Sequence, residues 1–257
     1  MTMLSRRGLV AAGAAGLGGA LLSGCDRLTN SPSLQRFIGH GEDLSFHAQR
    51  LLLAGQPLAR EFKPSEISPV FKANGTLTPM TAAYQALLAD NFATWRLTMD
   101  GLVTMPMSFS LADIKAMPSR TQVTRHDCVE GWSAIGGWTG VPLSNLLRKV
   151  GLKPDARYIV FHCADDLANS TDGSGLYYES IDLFDAFHPQ TILAYAMNGS
   201  PLPVAHGAPL RLRVERQLGY KQAKYVMRIE ATDRLDKIMG GKGGFWEDRG
   251  YEWYAGI

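Results

Sequence analysis

"HDCVEGWSAIGGWTGVPLSNLL", His126 to Leu147, sets a lone cysteine among a histidine, two carboxylates and a tryptophan, and closes on an amphipathic helical run. The residues leading into it, "TQVTRHDCV" from Thr121, alternate as a strand that delivers Cys128 at its far end. On a strand that continues, residues 126, 128 and 130 point to one face, so His126, Cys128 and Glu130 would stand together. A carboxylate beside a thiol raises its pKa, which suits a free nucleophile poorly. A metal reverses this by deprotonating the thiol outright, and thiolate suits soft, redox-active centres. Taken alone, the stretch leaves a nucleophile, a metal ligand and a small buried core residue all open.

A second stretch, "VAHGAPLRLRVERQLGYKQAKYVMRI" from Val204 to Ile229, gathers His206, Arg211, Arg213, Arg216, Lys221 and Lys224 around two glycines. A solvated basic hairpin is the plain reading. As a strand, however, it puts Arg211 and Arg213 on one face, where they would serve an anionic ligand. Arginine holds phosphate bidentately and glycine-loop N–H groups add to that, so a phosphate-bearing cofactor accounts for the pattern better.

The chain has 257 residues, 46% hydrophobic and 19% charged, enough for one sizeable core. A formal charge of +2 lacks the basic excess of a nucleic-acid-binding protein. Residues 1–25, "MTMLSRRGLVAAGAAGLGGALLSGC", combine paired arginines, a weakly apolar Ala/Gly run and a cysteine-terminated box. They predict export by the twin-arginine route to the periplasm, with a lipid on Cys25 as anchor. Cys128 and Cys163 then remain for a disulfide in principle; no CxxC, HExxH or CxxCH motif is present, so a closed zinc site or a resident haem is not expected.

Residues 26–60 read as a tether, to about residue 45, and a short N-terminal helix around "LSFHAQRLLLAGQP"; residues 61–257 read as the folded domain. Within it, Thr78 is expected to cap a helix entered at Pro79, and Asp100-Gly101 to turn a hairpin. Ser110 caps a short helix, Pro142 and Gly151 bracket another, and Asn198-Gly199 makes a second hairpin turn. "RYIVFHCA", "TILAYAM", "PLRLRV" and "KYVMRIEATD" read as strands, and the tail from Gly240 as an aromatic loop. The sum is one α+β domain.

Together the two long stretches resemble the sulfite oxidase-type molybdopterin oxidoreductases, from roughly Phe71 to Ile229, and most of all the bacterial exported members such as methionine sulfoxide reductase catalytic subunits. The resemblance implies mixed β-sheets with short peripheral helices and a molybdenum-molybdopterin cofactor. It implies that Cys128 is the metal thiolate and that Glu130 handles protons beside it. Arg211, Lys224 and the backbone around Gln222 and Ala223 would hold the terminal phosphate and pterin, with further contacts from Asn74, Cys163 and His206. Where sulfite oxidases carry two arginines, this chain has Ala73 and Trp132. A doubly charged sulfite would thereby lose roughly 1.5–3 kcal/mol for each charged hydrogen bond absent.

The expected function is therefore reduction of S- or N-oxides, a small-molecule substrate, by a monomeric catalytic subunit. Its electrons would come from a membrane haem protein or soluble cytochrome. The rivals are a dehydrogenase of a small sulfur-containing substrate and a non-enzymatic ligand-binding lipoprotein.

Overall fold

The structure, a computed structural model, describes residues 31–168, 170, 173 and 175–257. The export signal and Cys25 lie outside the described residues. Contacts divide the chain after Gly55. In the first unit the described backbone is a helix, α1 (Pro32–Leu52). It begins well before the short helix expected from the sequence and takes in most of the supposed tether. Pro32 opens it, since proline is well suited to a helix's first turn. Among the described residues no helix is long and apolar enough to cross a membrane.

The described residues of the second unit, residues 56–257, form ten strands: β1 (Arg96–Gly101), β2 (Met107–Ser110), β3 (Arg120–Asp127), β4 (Ser133–Pro142), β5 (Tyr158–Asp166), β6 (Leu176–Asp182), β7 (Ile192–Met197), β8 (Ser200–Pro201), β9 (Arg211–Arg213) and β10 (Val226–Thr232). One sheet runs β2-β1-β10-β5-β6; the other runs β3-β4-β7-β8, with β9 added on β7. The first is mixed, because β1 and β10 pair parallel while its other pairs are antiparallel. Among the described residues a short helix, α2 (Ala82–Ala89), precedes β1, and three more lie between strands: α3 (Leu111–Lys115), α4 (Leu143–Val150) and α5 (Leu183–Ala186). This is the α+β architecture with mixed sheets.

One apolar cluster draws on both sheets, with Leu97, Phe161 and Ile229 from the first and Val141, Leu193 and Leu212 from the second. Helix α4 plugs it with Leu143, Leu146, Leu147 and Val150, the i, i+3, i+4, i+7 stripe of a half-buried helix, all fully buried. Each such side chain stabilises the fold by about 1.5–3 kcal/mol. Gly151 at φ 67° ends the helix, as its place in the sequence predicts.

Ser110 caps α3 through a capping box with Asp113. Asn198 and Gly199, at φ 50° and 78°, make the tight turn between β7 and β8. Two expectations shift. The cap of α2 is Thr81 rather than Thr78, its hydroxyl accepting from the Tyr84 N–H. Strands β1 and β2 pair as a hairpin, but Asp100 and Gly101 lie inside β1 and pair with Glu230 and Ala231 of β10; the turn is residues 102–106.

Candidate active site

Strand β3 stops at Asp127, so Cys128 opens a turn instead of continuing a strand. Its N–H donates to the Trp132 carbonyl at 2.9 Å, its own carbonyl accepts from Gly131 N–H at 2.9 Å, and Gly131 supplies the positive φ of 84°. The face shared by residues 126, 128 and 130 therefore ends before Glu130. His126 stays buried while Glu130 swings to the rim, where its Oε2 accepts from Lys72 Nζ at 3.2 Å and Trp132 Nε1 at 3.1 Å. Those donors hold the Glu130 carboxyl below the usual carboxylate range.

A cavity of about 220 Å³ opens beside Cys128, and Asn74, Glu130, His206, Arg211, Gln222 and Lys224 share its wall. Cys163 and Ala223 are buried but do not line it. Cys163 sits on β5 opposite Val226, its thiol pushed well up by burial, and the Ala223 carbonyl accepts from Leu212 N–H at 2.8 Å. Both cysteines are free thiols, so the disulfide does not form.

The basic segment resolves into unequal parts. Arg213 forks onto Glu215 at 2.9 and 2.6 Å, Arg216 pairs with Asp185 at 2.8 Å, and Lys221 lies between Glu179 and Glu247 at 2.5 and 2.6 Å. These cations neutralise internal carboxylates. Lys224 Nζ donates to the carbonyls of Asn74, Thr76 and Ala205 at 2.8, 2.5 and 3.0 Å, which uses all three of its protons and secures residues 74–76. Next to it, Tyr225 holds φ 54°, a conformation costing about 1–3 kcal/mol in a bulky residue, and its hydroxyl donates to Thr76 O.

Arg211 differs. It is 4% exposed; one Nη donates to His206 O at 3.0 Å, its Nε meets no acceptor, and among the described residues no carboxylate pairs with it. Burial and the Arg213 charge lower it to about 9. Its guanidinium and that of Arg213 lie 4.8 and 4.3 Å from the Trp138 ring, so the two arginines share a face as the strand pattern predicts, yet only Arg211 lines the cavity.

Two further cavity groups are buried without a partner, Asp165 Oδ1 and Gln222 Oε1. Burial pushes the Asp165 carboxyl up to about 7. His206 is lowered to about 4 by burial beside Arg211 and Lys224, so its ring is neutral.

Cys128 itself is 8% exposed, and Asn74 Nδ2 donates to its Sγ at 3.4 Å. Phe71 packs at 5.4–5.6 Å against His126, Trp138 and His206, closing the cavity beside the thiol. A Cβ on Gly136 would stand 3.1 Å from the Phe71 ring, and one on Gly219 would stand 2.5 Å from His126 Nε2. His126 Nδ1 accepts from Arg213 at 3.1 Å, so its proton sits on Nε2, and burial between arginines keeps it neutral.

Buried polar atoms are normally satisfied, and an unpaired buried guanidinium is costly. An arginine with no carboxylate and a free Nε, one unbonded oxygen each on Asp165 and Gln222, and a hydrogen-bonded thiol in one cavity fit a ligand with anionic, N–H and metal-bound parts. Residues 84–238, more than half the chain, match the family described as the oxidoreductase molybdopterin binding domain. The chain belongs to this family.

It is accordingly a molybdenum oxidoreductase whose cofactor is molybdenum-molybdopterin. It is 39% identical over 201 residues to a putative protein-methionine-sulfoxide reductase subunit YedZ1 of Azospira oryzae, covering 76% of this chain and 70% of that one. Methionine-sulfoxide reductase catalytic subunits MsrP of Ralstonia nicotianae and Xanthomonas axonopodis are each 35% identical over 54% and 55% of this chain. The chain spans 44% and 46% of their lengths. The sulfane dehydrogenase SoxCD of Paracoccus pantotrophus aligns with a TM-score of 0.49 at 27% identity, over 55% of this chain and 39% of its own.

Among cavity residues of this molybdopterin-binding domain, Asp165, Phe71 and Tyr177 carry no motif that marks them in the sequence. Asp165 reads as one of two adjacent acids in "ADD", and only the alternation along β5, which buries it beside the exposed-side Asp166, could have singled it out.

Proposed function

We propose that the chain is the exported catalytic subunit of a reductase that removes oxygen from S- or N-oxides. A sulfoxide, two electrons and two protons give a thioether and water. The bound molybdenum-pterin group supplies the two-electron, oxygen-accepting chemistry. Cys128 holds the metal through its thiolate, with the Asn74 amide steadying the sulfur. Arg211 takes the phosphate; Asp165 and Gln222 take hydrogen-bonding edges of the pterin, their orphaned atoms being the reason for the assignment. Lys224 acts indirectly, holding the 74–76 backbone that presents Asn74. Phe71 keeps water from the sulfur's flank, and protons pass through Glu130 Oε2 at the mouth.

The observation that carries the choice of substrate is the mouth. The cation there, Lys72, is paired with Glu130, and Trp132, where a sulfite oxidase would hold arginine, gives its N–H to the same carboxylate. With Arg211 given to the phosphate, a doubly charged sulfite meets at the rim a lysine already paired with Glu130. The names of the relatives, methionine sulfoxide reductases, support the same direction. Electrons come from a membrane haem protein or a cytochrome, as the resemblance implies. Export rests on the paired Arg6 and Arg7 and on the box ending at Cys25; Arg6→Lys with Arg7→Lys should leave the protein in the cytoplasm on fractionation.

The deciding assay compares oxidation of reduced viologen by methionine sulfoxide and trimethylamine oxide with dye reduction by sulfite. Oxide-dependent turnover and no sulfite turnover are expected. Sulfite turnover alone would replace this reading with a dehydrogenase.

A further inference from the structure

The cavity's mouth has a second side, built by residues beyond the matched segment 84–238. Trp246 and Tyr251, both on the cavity wall, stack at 5.4 Å with an interplanar angle of 28°, and Tyr220 meets Tyr251 edge-on at 5.2 Å. Tyr251 is 39% exposed, and Val129, also on the wall, is 48% exposed. An exposed yet ordered aromatic group at the lip of a cavity is the kind of surface that binding sites retain.

The tail carrying these rings is held firmly. Lys221, between cavity residues Tyr220 and Gln222 in sequence, is fully buried and bridges Glu179 of β6 to Glu247, the neighbour of Trp246. Asp248 accepts from Tyr178 OH at 2.5 Å and from the N–H groups of Gly240 and Lys242 at 3.0 Å each. Tyr220 OH donates to Glu252 O at 2.7 Å, tying the loop to the tail once more. One ammonium thus fixes the aromatic side of the mouth to the loop that also supplies Gln222 to the cavity.

We infer that Trp246 and Tyr251, with Tyr220, are the specificity wall of this site, selecting uncharged oxides whose substituent next to the reducible oxygen is apolar and flat enough to lie on the rings. The inference rests on the reductase reading above and narrows its substrate class. On the same cavity wall Lys72 and Glu130 neutralise each other, so the rings offer an apolar face beside a paired charge to an incoming molecule.

Two probes test it on the holoenzyme. With reduced viologen as donor, the wild type should prefer methyl phenyl sulfoxide over dimethyl sulfoxide in kcat/KM, and Trp246→Ala or Tyr251→Ala should cut that ratio about tenfold. Methyl phenyl sulfone, which is not reduced, should bind the wild type measurably by calorimetry and about tenfold more weakly to each alanine variant, with molybdenum content unchanged. Tyr251→Phe should keep the affinity, since the ring is what counts. Equal sulfone affinity in wild type and alanine variants, or no sulfone binding at all, would overturn the wall. Sulfone binding that weakens in the variants, without sulfoxide reduction by the wild type, would instead sink the reductase reading and leave the wall standing.

Discussion

Arg211 is a charge that the apo fold buries without a carboxylate in contact, and its neighbour Arg213 adds repulsion. Arg211→Met should therefore stabilise the apo-protein, by about 1–3 kcal/mol, while lowering cofactor retention more than tenfold. Thermal melts and pterin content after purification check the two halves. Asp165 adds a pH signature. Its folded pKa is raised to about 7, so the stability it contributes is full below the ordinary carboxylate range and is lost as pH rises through about 7. Apo stability should fall between about pH 4 and pH 7, and Asp165→Asn should flatten that fall in urea titrations. The sequence pointed to Cys128 and Arg211 because a long motif surrounds each, and the fold brings both to one cavity wall. Arg213, Arg216 and Lys221 looked like ligand donors for the same reason, yet their partners Glu215, Asp185, Glu179 and Glu247 arrive by folding and leave no local mark.

Among the elements, the strands β5, β7, β9 and β10 and the helices α3 and α4 could be read directly, since apolar runs and caps mark them. Strand β4 was hidden by Gly136, Gly137 and Gly140. Those glycines serve packing: a Cβ at Gly140 would lie 2.2 Å from the Leu193 carbonyl of β7. The same crowding makes Gly219→Ala, which would drive a methyl against His126 where Arg213 holds the ring, destabilising by about 1–3 kcal/mol in denaturant titrations. The link between β6 and the tail is the element-scale device most exposed to test. Removing its cation in Lys221→Met leaves two facing buried carboxylates and should cost about 3–5 kcal/mol at neutral pH. Burial beside Glu247 already pushes the Glu179 carboxyl up, so the loss should shrink in acid, where protons replace the missing cation. Equal losses at pH 5 and pH 8 would contradict this.

For the molecule as a whole, the residues matched to the cofactor-binding family, 84–238, lie within the compact unit that begins at Gln56. A chain starting there should fold with a melting temperature within about 2 °C of the longer protein and hold the same cofactor, since the two sheets, the core cluster and the cavity all lie within residues 56–257. The division after Gly55 was blurred in sequence because α1 and the residues after it share the same mild composition. What Cys128 holds decides the chemistry. Purified from a host that makes the cofactor, the wild type should contain molybdenum and pterin at one per chain, and Cys128→Ser, folded by circular dichroism, should contain little or no molybdenum. Well-folded wild type without molybdenum, or full molybdenum in the serine variant, would contradict it.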